Sequence, residues 1–203
     1  MSSGRLVVLA SGNGSNLQAI LDACTSGRLD AEVVAVVSNN ADAYALERAE
    51  QAGVDRVVAP HQNRDRATYD NELAYTVGAY RPDLVVLAGW DRLLTSAFVS
   101  HHITINLHPA KPGAFPGLGA IERAYRGWRD GTVDDGGVMV HYVPDEGVDN
   151  GPVIGWEPVP FELGDTLESF EARVHQVEHR LLVDCIASAL ANLTTSRKDS
   201  SIT

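Results

Sequence analysis

Short apolar runs alternate with stretches of helical period along the first half of the chain. "RLVVLA" (5–10), "AEVVAVVS" (31–38), "DRVVAP" (55–60), "DLVVLAG" (83–89) and "ITINLH" (103–108) are strand-length and rich in β-branched residues. Several are apolar throughout, the pattern of strands covered on both faces of a parallel sheet. Between them, Leu17, Ile20, Leu21 and Cys24 recur at helical spacing. Residues 42–52 form a second helical pattern that stops at Gly53. Tyr69, Leu73, Val77 and Tyr80 align along a third over 66–80, before Pro82. This order predicts an α/β fold with a doubly wound, mostly parallel sheet. The second half changes character. "GGVMVHYV" (136–143) and "GPVIGWEPVPF" (151–161), joined by the turn-rich "PDEGVDN", predict an antiparallel hairpin. From Asp165 onward the chain reads as one long helix, with Leu167, Phe170, Val174, Val177, Leu181 and Cys185 as its buried stripe. Asp165 and Glu168 have the spacing of a capping box. Residues 1–193 read as a single domain and 194–203 as a frayed polar tail.

Composition narrows the function classes. A chain of 203 residues that is 44% hydrophobic and 21% charged has ample material for a core. Its formal net charge of −11 disfavours a nucleic-acid partner. It leaves room for a small anionic ligand, because loop amides can hold a single phosphate. The apolar runs are too short to span a bilayer, and the one near the start is too short for a signal peptide, so a cytoplasmic protein without a membrane partner is expected. Cys24 and Cys185 sit on helical apolar stripes and read as reduced packing residues. "HQVEH" (175–179) pairs two histidines at i, i+4, but Gln176 follows the first where a zinc protease has Glu, and no metal is expected.

Three places carry candidate chemistry. "LASGNGSNLQAI" sets Gly12, Gly14, Ser15 and Asn16 between the first strand and the first helix, where small residues let backbone N–H groups approach an anion. Leu17 stands where a dinucleotide fingerprint has its third glycine, and "SNN" (38–40) stands where it has an acid. The loop therefore suits one phosphate rather than a dinucleotide. The alternative is a tight turn capped by Ser15 or Asn16. Asn106 and His108 lie two residues apart at a strand's carboxyl end, before Pro109. An imidazole moves protons near neutral pH, and an amide N–H stabilises charge growing on a carbonyl oxygen, so the pair suits attack by an amine on a carbonyl. The bland alternative is a solvated polar face, or a histidine tied to a backbone carbonyl. Asp149, in "DEGVDNGP", is the best carboxylate to orient the histidine, or else a turn aspartate before a Gly-Pro step.

"VVLASGNGSNLQAILDA", "PDLVVLAGWDRLL", "INLHPAKPGAFPG", "VMVHYVPDEGVDNGPVI" and "RVHQVEH" occur in this order over residues 5–190. The set resembles the phosphoribosylglycinamide formyltransferases, a branch of the formyltransferase family with a Rossmann-like fold. The resemblance implies that 10-formyltetrahydrofolate donates a formyl group to the amine of glycinamide ribonucleotide, without a metal, in a protein that is a monomer or homodimer. It implies that residues 1–100 hold the phosphate and ribonucleotide and 101–193 the folate and the catalytic groups. Gly14, Ser15 and Asn16 would hold the 5′-phosphate. Glu178 would bond the ribose hydroxyls, with Gln176 and Val177 nearby. Asn106, His108 and Asp149 would be catalytic. Asp91, Arg92, Leu93 and Leu94, with Asn106 and the loop of Pro144, Asp145 and Glu146, would enclose the pterin. Arg66 would meet the folate's carboxylate tail, as would Arg92.

The chain departs from the family's pattern at several positions. Leu118, Gly119 and Ala120 stand where an auxiliary histidine is usual, Met139 where Thr or Ser is frequent, and Trp90–Asp91 where Phe-Met is common. A deformylase-like hydrolase would use the same Asn, His and Asp with water, but normally carries an N-terminal regulatory domain. A tRNA-acting relative would need a basic nucleic-acid-binding domain. A catalytically silent ligand-binding protein on this fold is the reading from a different class.

Overall fold

The computed structural model describes residues 3–200, with side chains as far as Thr195. One seven-stranded sheet organises them. β1 (Gly4–Leu9), β2 (Ala31–Ser38), β3 (Asp55–Val58), β4 (Leu84–Leu87) and β5 (Thr104–His108) are parallel. β6 (Asp135–Tyr142) and β7 (Val153–Pro160) continue it antiparallel. The spatial order is β3-β2-β1-β4-β5-β6-β7. The chain winds outward from β1 to β3, then returns to β4 on the other side of β1. That reversal is the switch point beside which open α/β sheets form their crevice.

Helices cover both faces: α1 (Ser15–Thr25), α2 (Tyr44–Gln51), α3 (Arg66–Gly78), α4 (Ser96–Val99), α5 (Ala120–Arg129) and α6 (Leu167–Ser200). Strand alternation divides the core between them. Leu6, Val8, Leu84, Val86 and Ile105 pack with Leu17, Ile20, Leu182 and Ile186 of α1 and α6. Val7, Leu9, Val85 and Leu87 pack with Tyr69, Leu73, Val77 and Phe98 of α3 and α4. The central strands are apolar throughout because each feeds both layers. Cys185 belongs to the first layer and Cys24 packs against it. Burial pushes the Cys185 thiol up to about 11, which keeps it protonated and inert.

The structure corrects several expectations. The alternative of a solvated polar face on β5 is set aside, since Thr104 and His108 are as buried as Ile105 and Leu107, and Ile103, expected to open the strand, lies exposed before it. A helix absent from the expected elements, α5, buries Ala120, Ile121 and Ala124. The start of α6 is boxed by Thr166 and Ser169 rather than by Asp165 and Glu168. Thr166 Oγ1 accepts from Ser169 N at 3.1 Å and Ser169 Oγ from Thr166 N at 3.0 Å. Asp165 is engaged otherwise, accepting from Glu162 N at 2.7 Å and pairing with Arg173. α6 also continues through the expected frayed tail as far as Ser200, and positions 201–203 of that tail lie outside the described residues. Among the described residues, no helix is long and apolar enough to cross a membrane.

Candidate active site

β1 delivers the chain to the carboxyl edge of the sheet, and Gly14 turns it into α1. Its φ of 76° is left-handed. A Cβ here would sit 2.8 Å from both Cα and Cβ of Ala45. Glycine alone meets both demands. Gly14 is itself the N-cap, and no side chain caps the helix. The first-turn N–H groups therefore remain for an anion, aided by the positive end of the helix dipole. This sets aside the alternative in which Ser15 or Asn16 caps the turn. Asn16 reaches α6 instead: its Nδ2 donates to Glu178 Oε2 at 3.1 Å, and its buried Oδ1 has no hydrogen-bond partner.

Glu178 is buried on α6 and faces the same cleft as Asn16. His175, one turn earlier, holds Glu178 Oε2 at 2.7 Å through Nδ1, and that bond raises the imidazole's pKa. Sequence reasoning passed over His175 as a site residue, although its i, i+3 spacing to Glu178 was a usable signal. Gln176 and Val177 are not brought into the cleft. Val177 packs against the core, whereas Gln176 is exposed on an adjoining cavity of about 440 Å³ that shares Ser15 with the cleft and is also lined by Arg28, Arg48 and His179. Helical geometry requires this split, since neighbours on a helix point about 100° apart.

Asn106 and His108 project from one face of β5. β6 runs antiparallel beside it and sets His141 opposite Asn106. The loop after β6 then returns Asp149 to the same point, with φ at 50°, a left-handed conformation that aspartate tolerates better than most residues. Asp149 Oδ1 accepts from Asn106 Nδ2 at 2.9 Å. Its Oδ2 accepts from Gly117 N at 2.7 Å and lies 3.3 Å from His108 Nδ1. His108 Nε2 is 3.2 Å from the carbonyl of Ala114. His141, absent from the expected site, lies at its centre. Its Nδ1 donates to the carbonyl of Tyr142 at 2.8 Å, and its Nε2 is 3.3 Å from Asn106 Nδ2 and 3.4 Å from Asp149 Oδ1. When neutral it can accept from Asn106; when protonated it can donate to Asp149.

Both titratable groups are lowered, His108 because burial prevails and Asp149 because its hydrogen bonds and charged neighbours prevail over burial. Burial pushes the pKa of His108 down, and Asp149 and the Ala114 carbonyl only partly oppose it. Burial pushes Asp149 up, but His141, the Gly117 N–H and the charge of His108 together outweigh it and hold the carboxyl below its ordinary range. The result is a neutral imidazole against a carboxylate, able to take a proton and be stabilised when it does.

The cleft around these groups is about 1100 Å³. Asp91, Arg92, Leu93 and Leu94 form one wall, Asp145, Glu146 and Gly147 another. The Asp91 carboxylate is tied to neighbouring strand ends, accepting from Ser11 Oγ at 3.0 Å and Asn39 Nδ2 at 2.8 Å. Arg92 lies over the Tyr69 ring, 5.1 Å from its centroid. Glu146 ties the two walls together by accepting from Ser96 N at 2.9 Å. Arg66 stands outside the lining and donates to the Leu93 carbonyl at 3.2 Å. Pro144 is exposed and does not line the cleft. Among the described residues, no group of three or more His, Cys, Asp or Glu could hold a metal ion.

The chain is 43% identical over 197 residues to phosphoribosylglycinamide formyltransferase of Dictyostelium discoideum, covering 89% of this chain and 95% of that one. It is 44% identical over 179 residues to the Escherichia coli K12 protein of the same name, covering 87% and 82%. Glycinamide ribonucleotide transformylase 1 from Symbiobacterium toebii superposes with a TM-score of 0.86 at 40% identity, covering 94% of this chain and 89% of that one. The profile of the formyl transferase family matches residues 4–186, and the chain belongs to that family.

Proposed function

We propose that the cleft transfers a formyl group from 10-formyltetrahydrofolate to the amine of 5′-phosphoribosylglycinamide, giving formylglycinamide ribonucleotide and tetrahydrofolate for purine synthesis. The observation that carries this is the meeting of Asn106, His108 and Asp149 midway between an anion-accepting loop and a roomy second wall. The phosphate would bond the first-turn N–H groups at Gly14, Ser15 and Asn16, and the ribose hydroxyls would bond Glu178. The folate would lie along 91–94 and 145–147, its carboxylate tail toward Arg66 and Arg92.

The amine nitrogen attacks the formyl carbon and a new C–N bond forms. The formyl oxygen becomes an oxyanion, stabilised by an N–H of Asn106 that leaves His141 Nε2 and, once His108 Nε2 has taken the proton from the amine, by that new N–H in place of the Ala114 carbonyl. The amine loses a proton, the bond from carbon to folate N10 breaks, and N10 gains a proton. His108 carries that proton, its imidazolium stabilised by Asp149. Both substrates are small soluble molecules, which suits a cytoplasmic enzyme.

The test follows 10-formyltetrahydrofolate by absorbance with and without the ribonucleotide. Loss of the formyl group only with the ribonucleotide is the expected result. Loss without it, with formate released, would instead make the protein a deformylase-like hydrolase. No loss from folded protein would make it a silent binding protein.

A further inference from the structure

The loop between His108 and α5 lacks an imidazole, yet it is tied to the reacting groups through one peptide plane. Phe115, Gly117 and Gly119 all have positive φ, at 50°, 80° and 68°. The curl turns three consecutive carbonyls inward onto a single nitrogen. Arg123 Nη2 lies 2.7 Å from the oxygen of Phe115, 2.8 Å from that of Pro116 and 3.2 Å from that of Gly117. Arg123 Nε holds the Gly119 carbonyl at 3.3 Å, and its guanidinium lies over the Phe115 ring. A trans peptide points its C=O and N–H in opposite directions. The unit whose oxygen meets Arg123 is therefore the one whose hydrogen, on Gly117 N, meets Asp149 Oδ2 at 2.7 Å. A cation on the oxygen polarises that N–H and strengthens its bond to the carboxylate.

We infer that Arg123 is a positioning residue for formyl transfer: through the Pro116–Gly117 peptide it holds Asp149, and hence His108, in register. It touches neither substrate nor reacting atoms. The inference rests on the proposed function for its kinetic consequence, but not for its electrostatic one.

The experiment compares Arg123→Ala, Arg123→Gln and Arg123→Lys with the wild type by kcat, KM, melting temperature and the pH profile of kcat. A parallel NMR titration follows the His108 imidazole. Arg123→Ala and Arg123→Gln should lose about ten- to hundredfold in kcat with KM for both substrates little changed, because misplaced catalytic groups cost rate rather than binding. Loss of the Arg123 charge favours the imidazolium, but a displaced Asp149 disfavours it and is the larger influence on His108, so the acid limb of kcat and the His108 titration should move to lower pH. Arg123→Lys, which keeps a cation for the carbonyls, should restore most of kcat. A His108 titration in Arg123→Ala that stays unmoved or moves to higher pH would overturn the inference, even if melting temperature and rate fall together. If the wild type transfers no formyl group, the proposed function fails separately, and the NMR titration still decides the role of Arg123.

Discussion

Asp149→Asn is the sharpest single test of the active-site geometry. Asparagine has the same shape and tolerates the left-handed backbone at φ 50°, so the change is confined to charge and hydrogen bonding. Both carboxylate oxygens act as acceptors: Oδ1 for Asn106 at 2.9 Å, Oδ2 for Gly117 N at 2.7 Å. An amide offers one oxygen, so either orientation sets its NH2 against another donor. That conflict costs about 1–3 kcal/mol of stability, a fall of roughly 2–10 °C in melting temperature. The kinetic cost is larger. A unit charge 3.3 Å from His108 Nδ1 is worth at most about 5 kcal/mol at an effective dielectric near 20, felt when the ring becomes imidazolium. Allowing for residual amide contacts, kcat should fall by about 10³, or ~4 kcal/mol. The charge of Asp149 raises the pKa of His108 against its burial, so its removal lets that pKa fall further. The acid limb of kcat/KM should therefore move to lower pH, the same direction as expected for Arg123→Ala. Steady-state rates across pH, with thermal melts on the same samples, decide it. A folded variant within tenfold of wild-type kcat, or one with an unmoved acid limb, would refute the pairing of Asp149 with His108.

Asn106→Ala removes an oxyanion donor and the bond to Asp149 Oδ1, and should lose about 10²–10³ in kcat with the fold intact; near-normal turnover would sink the assignment. Gly14→Ala places a methyl 2.8 Å from Ala45 at a left-handed φ, and should cost about 2–4 kcal/mol and raise KM for the ribonucleotide, read by melting and by initial rates. Asp165→Ala frees Arg173 and the Glu162 N–H at the start of α6, and should cost about 2 kcal/mol at neutral pH without altering KM. Arg173 holds the Asp165 carboxyl far below its usual range, so its stabilisation is full above the ordinary carboxylate pKa and lost as pH falls through the folded one. The melting temperatures of wild type and variant should accordingly converge in strong acid, and a constant gap would count against the ion pair.

What could be read in advance depended on whether a residue's partners lie along its own element. β1, β2 and β4 were legible because burial on both faces leaves a continuous apolar run. Asn106 and His108 were legible because two residues along a strand share a face, whatever the neighbours. Their surroundings were not legible: a solvated face stood open as the alternative, and it is the loops carrying Ala114, Gly117 and Asp149 that close over His108 and bury it. His141 was missed for the complementary reason. Met139 and Val143 flank it at i±2, so the segment reads as apolar strand, and only the register that sets it opposite Asn106 reveals its role. α5 was missed despite a helical spacing of Ile121, Ala124, Tyr125 and Trp128, because Pro116, Gly117 and Gly119 just before it read as loop.

Arg123 lies furthest from what periodicity can show. No spacing rule links an arginine on a helix to three carbonyls of the preceding turn, since that contact exists only once three positive φ angles have curled the loop. Phe115 is the informative residue here, because a non-glycine at φ 50° needs compensation, and Arg123 supplies it through both the Phe115 carbonyl and the ring face. The departure at Gly119 fits the same picture. Its φ of 68° makes it the N-cap from which α5 starts, and a side chain there would strain the turn that aims Arg123. Gly119 and the arginine clamp thus belong to one turn, whose curled backbone meets Arg123 on one side of the Pro116–Gly117 peptide and Asp149 on the other.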